Sequence, residues 1–204
     1  MTSPLIAVLD YGIGNLRSAE KALARVGADA RLTDDPEIIL QAAGVVLPGV
    51  GAFGRCMDAL DRTGLSAVAR DVVARAVPFL AICIGMQLLY DESEESPGRK
   101  GLGVLPGVVR RLPEGVKHPQ MQWNTLDIKR DSLLFGGLPS PAWFYFVHSY
   151  APDDTTHASA LCDYGGPVVA AVERGNVWAT QFHPEKSGAN GMKLLSNFVA
   201  RCAA

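Results

Sequence analysis

The chain has 204 residues, 48% of them hydrophobic and 20% charged, with a formal net charge of −2. That is long and apolar enough for one folded domain with a sizeable core, and it excludes a disordered tail. The near balance of charge, without a basic block, argues against a nucleic-acid partner, and no apolar run reaches the ~20 residues of a membrane helix.

The opening "MTSPLIAVLD" lacks the basic region of a secretory signal, and Asp10 interrupts its apolar stretch. A soluble cytoplasmic protein is expected. The four cysteines, Cys56, Cys83, Cys162 and Cys202, show no zinc-type spacing. A chain with a good core needs no disulfide staples, so they read as thiols in a reducing compartment.

In chain order, "LIAVLD" (5–10) reads as a buried strand and "NLRSAEKALARVG" (15–27) as a helix that Gly27 ends. "ADARLT" (28–33) is a short strand, and Asp34-Asp35-Pro36 opens a second helix with a cap residue and a first-turn proline. "GVVLPG" (44–49) is strand then turn, followed by helical patterns around Met57–Arg62 and Leu65–Ala76. "FLAI" (79–82) is a continuous apolar strand, and "GMQLLYDES" (85–93) turns helical.

The polar "DESEESPGRKG" (91–101) is expected to be a surface loop and is the one linker candidate. Beyond it, "MQWNTLDI", "AWFYFVHSY", "SALCDY", "VVAAVERG" and "NVWATQFH" look like consecutive strands, and "GANGMKLLSNFVARC" closes with a helix. The expected fold is α/β: a mainly parallel central sheet with helices on both faces and an antiparallel extension in the C-terminal half. One domain, 1–204, is expected.

"AICIGMQ" (81–87) raises the first chemical question. A buried strand that delivers a residue straight into a helix is the elbow G-x-nucleophile-x-G, in which small neighbours allow backbone and helix to approach closely. Gly85 fits, and Ala81 replaces the first glycine with one extra methyl. A helix N-terminus beneath Cys83 favours the reactive thiolate form. A free cysteine is equally at home as a small buried hydrophobe, and this stretch alone leaves both readings open.

A thiol nucleophile needs a base, and the chain has His118, His148, His157 and His183. His183 ends an apolar strand and is followed by Pro184 and Glu185. Alternate strand positions share a side, so Glu185 can reach the ring, fix its tautomer and stabilise the imidazolium. His148 also ends a strand but has no neighbouring carboxylate, and reads as structural. His118 and His157 fall in polar loops.

"PGVGAFG" (48–54) spells G-x-G-x-x-G after a strand, which can mark a dinucleotide site. The next strand, however, ends in Cys83 where an acidic ribose ligand belongs. A plain tight turn is the simplest alternative. Beside a thiol nucleophile, the favoured reading is a loop whose backbone N–H groups face a developing oxyanion.

With Cys83 in "AICIGMQ" and His183 and Glu185 in "QFHPEKS", the chain resembles the class I glutamine amidotransferases. "VLDYGIGNLRSAEKAL", "VLPGVGAFG", "PQMQWN" and "FYFVHSY" narrow the resemblance to the glutaminase subunits of imidazole glycerol phosphate synthases, over about residues 5–198. Two departures stand out: Ala81 at the elbow, and Gln122 where glycine is usual.

The resemblance implies a Cys83–His183–Glu185 triad that releases ammonia from glutamine, with no cofactor and no metal. It places oxyanion donors near Val50 and Gly51, and glutamine contacts at Gly51, Gln87, Ser149 and Tyr150. The implied partner is a (β/α)₈-barrel cyclase subunit, faced by Asn15, Met121, Trp123, Tyr145 and Lys186. The alternatives are an amidotransferase subunit of another synthase, a stand-alone cysteine hydrolase, or a non-catalytic regulatory module. The intact triad argues against the last.

Overall fold

The computed structural model describes residues 3–204. β1 (Leu5–Leu9), α1 (Leu16–Arg25), β2 (Asp29–Thr33), α2 (Pro36–Gln41) and β3 (Gly44–Gly49) alternate strand and helix. α3 (Phe53–Arg62) and α4 (Leu65–Ala74) then lead to β4 (Phe79–Cys83) and the short α5 (Ile84–Leu88). Among the described residues no helix is long and apolar enough to cross a membrane.

The second half runs β5 (Glu92–Ser93), β6 (Val108–Arg111), β7 (Gln120–Thr125), β8 (Asp127–Ile128), β9 (Trp143–His148) and β10 (Tyr150–Pro152). β11 (Ala158–Asp163), β12 (Pro167–Arg174), β13 (Val177–Thr180) and α6 (Gly188–Cys202) complete it. The main sheet has eight strands in the order β2-β1-β3-β4-β13-β12-β11-β8. From β2 to β13 neighbouring strands are parallel, and from β13 to β8 they are antiparallel.

The fold is therefore the α/β arrangement expected, with one refinement. The last strand, β13, is parallel to β4, with Ala179 opposite Ala81 and Thr180 opposite Ile82. Two groups of strands leave the extension to pair among themselves, β7 with β9 and β10 with β6 and β5. β3 and β4 are buried at every residue, which is why they read as unbroken apolar runs.

A local signal sets the start of α2. The Asp35 carboxylate accepts from the Glu37 N–H at 2.8 Å, with Pro36 in the first turn. α3 is different, because it starts at Phe53, four residues before the expected Met57. Its first free N–H groups are satisfied from far along the chain: Phe53 N–H donates to Glu95 Oε2 at 2.7 Å, and Gly54 N–H to Ser96 Oγ at 3.0 Å.

The stretch 91–101 is consequently no linker. It caps α3, buries Ser93, and places Arg99 2.9 Å from Asp58. The pairing of Glu92–Ser93 with β6 also ends the helix expected over 85–93 at Leu88.

At the end of β4 the chain turns so tightly that a side chain on Gly85 has no room. A Cβ there would lie 2.0 Å from the Leu47 carbonyl oxygen of β3. That oxygen belongs to a sheet backbone and cannot move aside. Gly85→Ala is expected to cost ~3 kcal/mol as an overpacking change, lowering Tm by ~6–12 °C in a chain of this size. Calorimetry on the purified variant measures it.

Candidate active site

Cys83 closes β4 with φ 57° and ψ −112°, a left-handed conformation that a non-glycine residue rarely adopts. The turn carries its sulfur out of the strand. Sγ lies 3.7 Å from Gln181 Nε2 and 3.9 Å from the Val147 carbonyl oxygen.

His183 arrives from the other side, just beyond β13, with its N–H donating to the Tyr145 carbonyl at 3.0 Å. Its Nδ1 sits 2.8 Å from Glu185 Oε1. Strand alternation is not what brings them together, as regular pairing ends at Thr180 and Pro184–Lys186 forms a single 3₁₀ turn. Ser187 holds that turn, its hydroxyl donating to the His183 carbonyl at 2.6 Å and accepting from Tyr145 N–H at 3.0 Å.

A carboxylate at Nδ1 puts the ring proton there and leaves Nε2 as the free nitrogen. Nε2 is buried and has no hydrogen-bond partner. Burial is the largest single influence on this imidazole and works against its charge. The neighbouring Cys83 and the Glu185 carboxylate together outweigh it, raising the pKa to about 9.

Cys83 and His183 line a cavity of about 260 Å³, together with Val50, Gly51, Gln87, Ser149 and Tyr150. Every expected oxyanion and substrate residue therefore borders one space. Gln87 is buried, donates to the Tyr150 carbonyl at 2.9 Å, and leaves its Oε1 unpartnered. The Val50 carbonyl lies 3.5 Å from the thiol of Cys56 on α3 and accepts from it. The two ends of a trans peptide point opposite ways, so Gly51 N–H is directed away from Cys56. Gly51 itself has φ +99°, which suits glycine.

His148 borders the same cavity but is a different kind of histidine. Its Nδ1 is 2.8 Å from the Tyr150 carbonyl and its Nε2 2.9 Å from the Gln120 side-chain amide. Burial lowers its pKa to about 4, so the ring is neutral. With Nδ1–H given to a carbonyl, Nε2 must accept, and Gln120 must turn its NH₂ toward it. Both nitrogens are occupied.

Residues 7–202 match the family model described as Glutamine amidotransferase class-I. The HisH subunit of imidazole glycerol phosphate synthase from Moorella thermoacetica is 48% identical over 95% of this chain and 93% of that protein. The chain belongs to the class I glutamine amidotransferase family. The HisH subunit from Methanothermobacter thermautotrophicus is 49% identical over 96% of this chain and 98% of that one. A crystal structure described as a glutamine amidotransferase shares the fold, with a TM-score of 0.76 and 22% identity over 98% of this chain and 99% of that one.

In this amidotransferase, the residues expected to face a partner fall into two groups. Met121, Trp123 and Tyr145 share one face of the β7–β9 ribbon, where Trp123 is opposite Tyr145 and their rings meet edge-on at 6.2 Å. Met121 and Trp123 are exposed, and Trp143, which the sequence reading left out, joins them two residues before Tyr145. Gln122 points to the opposite face, with Gln120 and Asn124. Asn15 and Lys186 are exposed off this ribbon, Asn15 starting α1 through its backbone carbonyl and Lys186 closing the 3₁₀ turn that Ser187 ties to Tyr145.

Gln181, Glu95 and Cys56 were not singled out from the sequence. Only Gln181 had a usable signal, its position two residues before His183. The remaining thiols are poor nucleophiles, because burial raises Cys56 and Cys162 to about 11 and Cys202 to about 12. A glutamine-like diazo-ketone is therefore expected to label Cys83 and leave the other three intact. Peptide mapping that finds the label on another cysteine contradicts the site.

Proposed function

We propose that this amidotransferase chain hydrolyses glutamine to glutamate and ammonia and passes the ammonia to a (β/α)₈-barrel cyclase subunit. That partner makes imidazole glycerol phosphate and an aminoimidazole carboxamide ribotide in histidine biosynthesis. The single observation that carries the chemistry is the buried His183–Glu185 pair, 2.8 Å apart, beside Cys83 at a strained corner of one small cavity. The relatives' name carries the partner.

In the first step Sγ attacks the side-chain amide carbon as the thiolate, its proton held on His183 Nε2, whose raised pKa favours the protonated ring. The resulting oxyanion rests on backbone N–H groups at Val50 and Gly51. The C–N bond then breaks, and His183 returns the proton to the leaving ammonia. Water next adds to the glutamyl thioester, giving a proton to Nε2, and glutamate departs as the charge returns to sulfur. The thioester divides one difficult displacement into two easier ones. Glu185 keeps Nδ1–H in place throughout and stabilises the imidazolium.

The amino-acid end of glutamine sits against Gln87, Ser149 and Tyr150, with the unpartnered Gln87 Oε1 an acceptor for its ammonium group. The partner covers the exposed face carrying Met121, Trp123 and Tyr145. This face continues to Val147, whose carbonyl lies beside Cys83.

Cys83→Ala is expected to abolish glutamate release while the partner cyclase still turns over with added ammonium salt. His183→Ala should be nearly as damaging, because nucleophile and base act as a unit. Glu185→Gln should lose less. Glutamate and cyclase assays on the paired subunits decide it: a harmless Glu185→Gln together with a fatal His148→Ala would mean that the base is His148.

A further inference from the structure

Gln181 is fully buried, lies two residues before His183, and has no part in the chemistry described so far. Its amide belongs to a short chain of side chains whose orientation can be deduced. The Tyr150 carbonyl oxygen can only accept, so the Gln87 atom 2.9 Å from it is Nε2. The same Nε2 lies 3.0 Å from the Gln181 amide, which must therefore present Oε1 on that side. Nε2 of Gln181 is left facing Cys83 Sγ at 3.7 Å. A backbone carbonyl thus fixes, through two amides, a donor aimed at the sulfur.

We infer that Gln181 is a fourth catalytic residue, whose amide N–H donates to the Cys83 sulfur and stabilises the thiolate that attacks the amide carbon. A donor N–H gains more from a charged acceptor than from a neutral one, so this contact favours thiolate over thiol. The sulfur's proton goes to His183 Nε2, which has no other hydrogen-bond partner. Before attack the proton rests on His183 and the charge on a sulfur held by Gln181; attack then moves that charge to the amide oxygen.

Of the other titratable groups around the sulfur, His183 also favours the thiolate, being raised to about 9 beside Cys83 and Glu185, while three others stay neutral. Burial holds the Tyr11 phenol well above its usual range and raises the Cys56 thiol to about 11, so both stay neutral. His148 is neutral near pH 7, since burial lowers it to about 4. His183 faces the sulfur from beyond β13, and Glu95 borders the cavity from the stretch that caps α3.

The inference rests on Cys83 being the nucleophile, and its test uses no glutamine. Iodoacetamide alkylation of Cys83 is followed by peptide mass spectrometry across pH in the full chain, in Gln181→Met and in Gln181→Glu. Gln181→Glu keeps the volume and the oxygen that accepts from Gln87, but removes the donor. Both variants are expected to be alkylated about tenfold more slowly at neutral pH, the loss of one hydrogen bond to a charged group. The Gln181→Met rate should converge with that of the parent chain in strong alkali, where the thiol ionises without help.

A merely structural role for Gln181 would change melting without moving this profile. Unchanged profiles in variants that melt like the parent overturn the inference. Failure of the glutaminase reading looks different: Cys83 is alkylated normally in the parent chain, yet no glutamate is released with the partner present.

Discussion

The lack of room at Gly85, where a Cβ would lie 2.0 Å from the Leu47 carbonyl oxygen, is the constraint on which the elbow depends. Glycine there lets β4 turn directly into α5, and that turn forces Cys83 into its left-handed conformation. A strained residue of this kind costs ~1–3 kcal/mol and persists only where the surroundings over-determine it. Here they do. β4 is flanked by β3 and β13, each paired with it in parallel register, and all five of its residues are buried.

His183 is held by a second device. β13 lies against β4, so the chain leaving β13 necessarily passes the elbow. Pro184 then closes a 3₁₀ turn, and Ser187 ties that turn to β9 through the Tyr145 N–H. Cys83 at the end of one strand and His183 just beyond its neighbour thus border one cavity without either depending on a long loop. The β9–β10 corner adds a third element, since its Tyr150 carbonyl orients Gln87, Gln181 and His148 together.

Much of this was legible in the sequence because it is local. Asp35-Pro36 marks a helix start by chemistry within three residues, the apolar run into Cys83-x-Gly85 marks an elbow, and His183-Pro-Glu185 carries its own partner. What was not legible depends on residues far apart. The true start of α3 needs Glu95 and Ser96, 42 residues downstream. The stretch that supplies them looks like a solvated linker, since charged residues that cap a distant helix have the composition of a loop. The parallel pairing of β13 with β4 is a tertiary choice that alternation of apolar residues cannot express. The orientation of Gln181 follows only once the Tyr150 carbonyl and Gln87 are placed.

The central claim is that a buried imidazole is poised by a thiol on one side and a carboxylate on the other. Titration of His183 by NMR in the unaltered chain and in Cys83→Ala tests this most directly. With both partners present, His183 should titrate near pH 9. Removing the thiol should lower that value, because burial then meets only the Glu185 carboxylate, while His148 stays near 4 in both. A His183 that titrates at the usual 6.5 in both proteins would contradict the account.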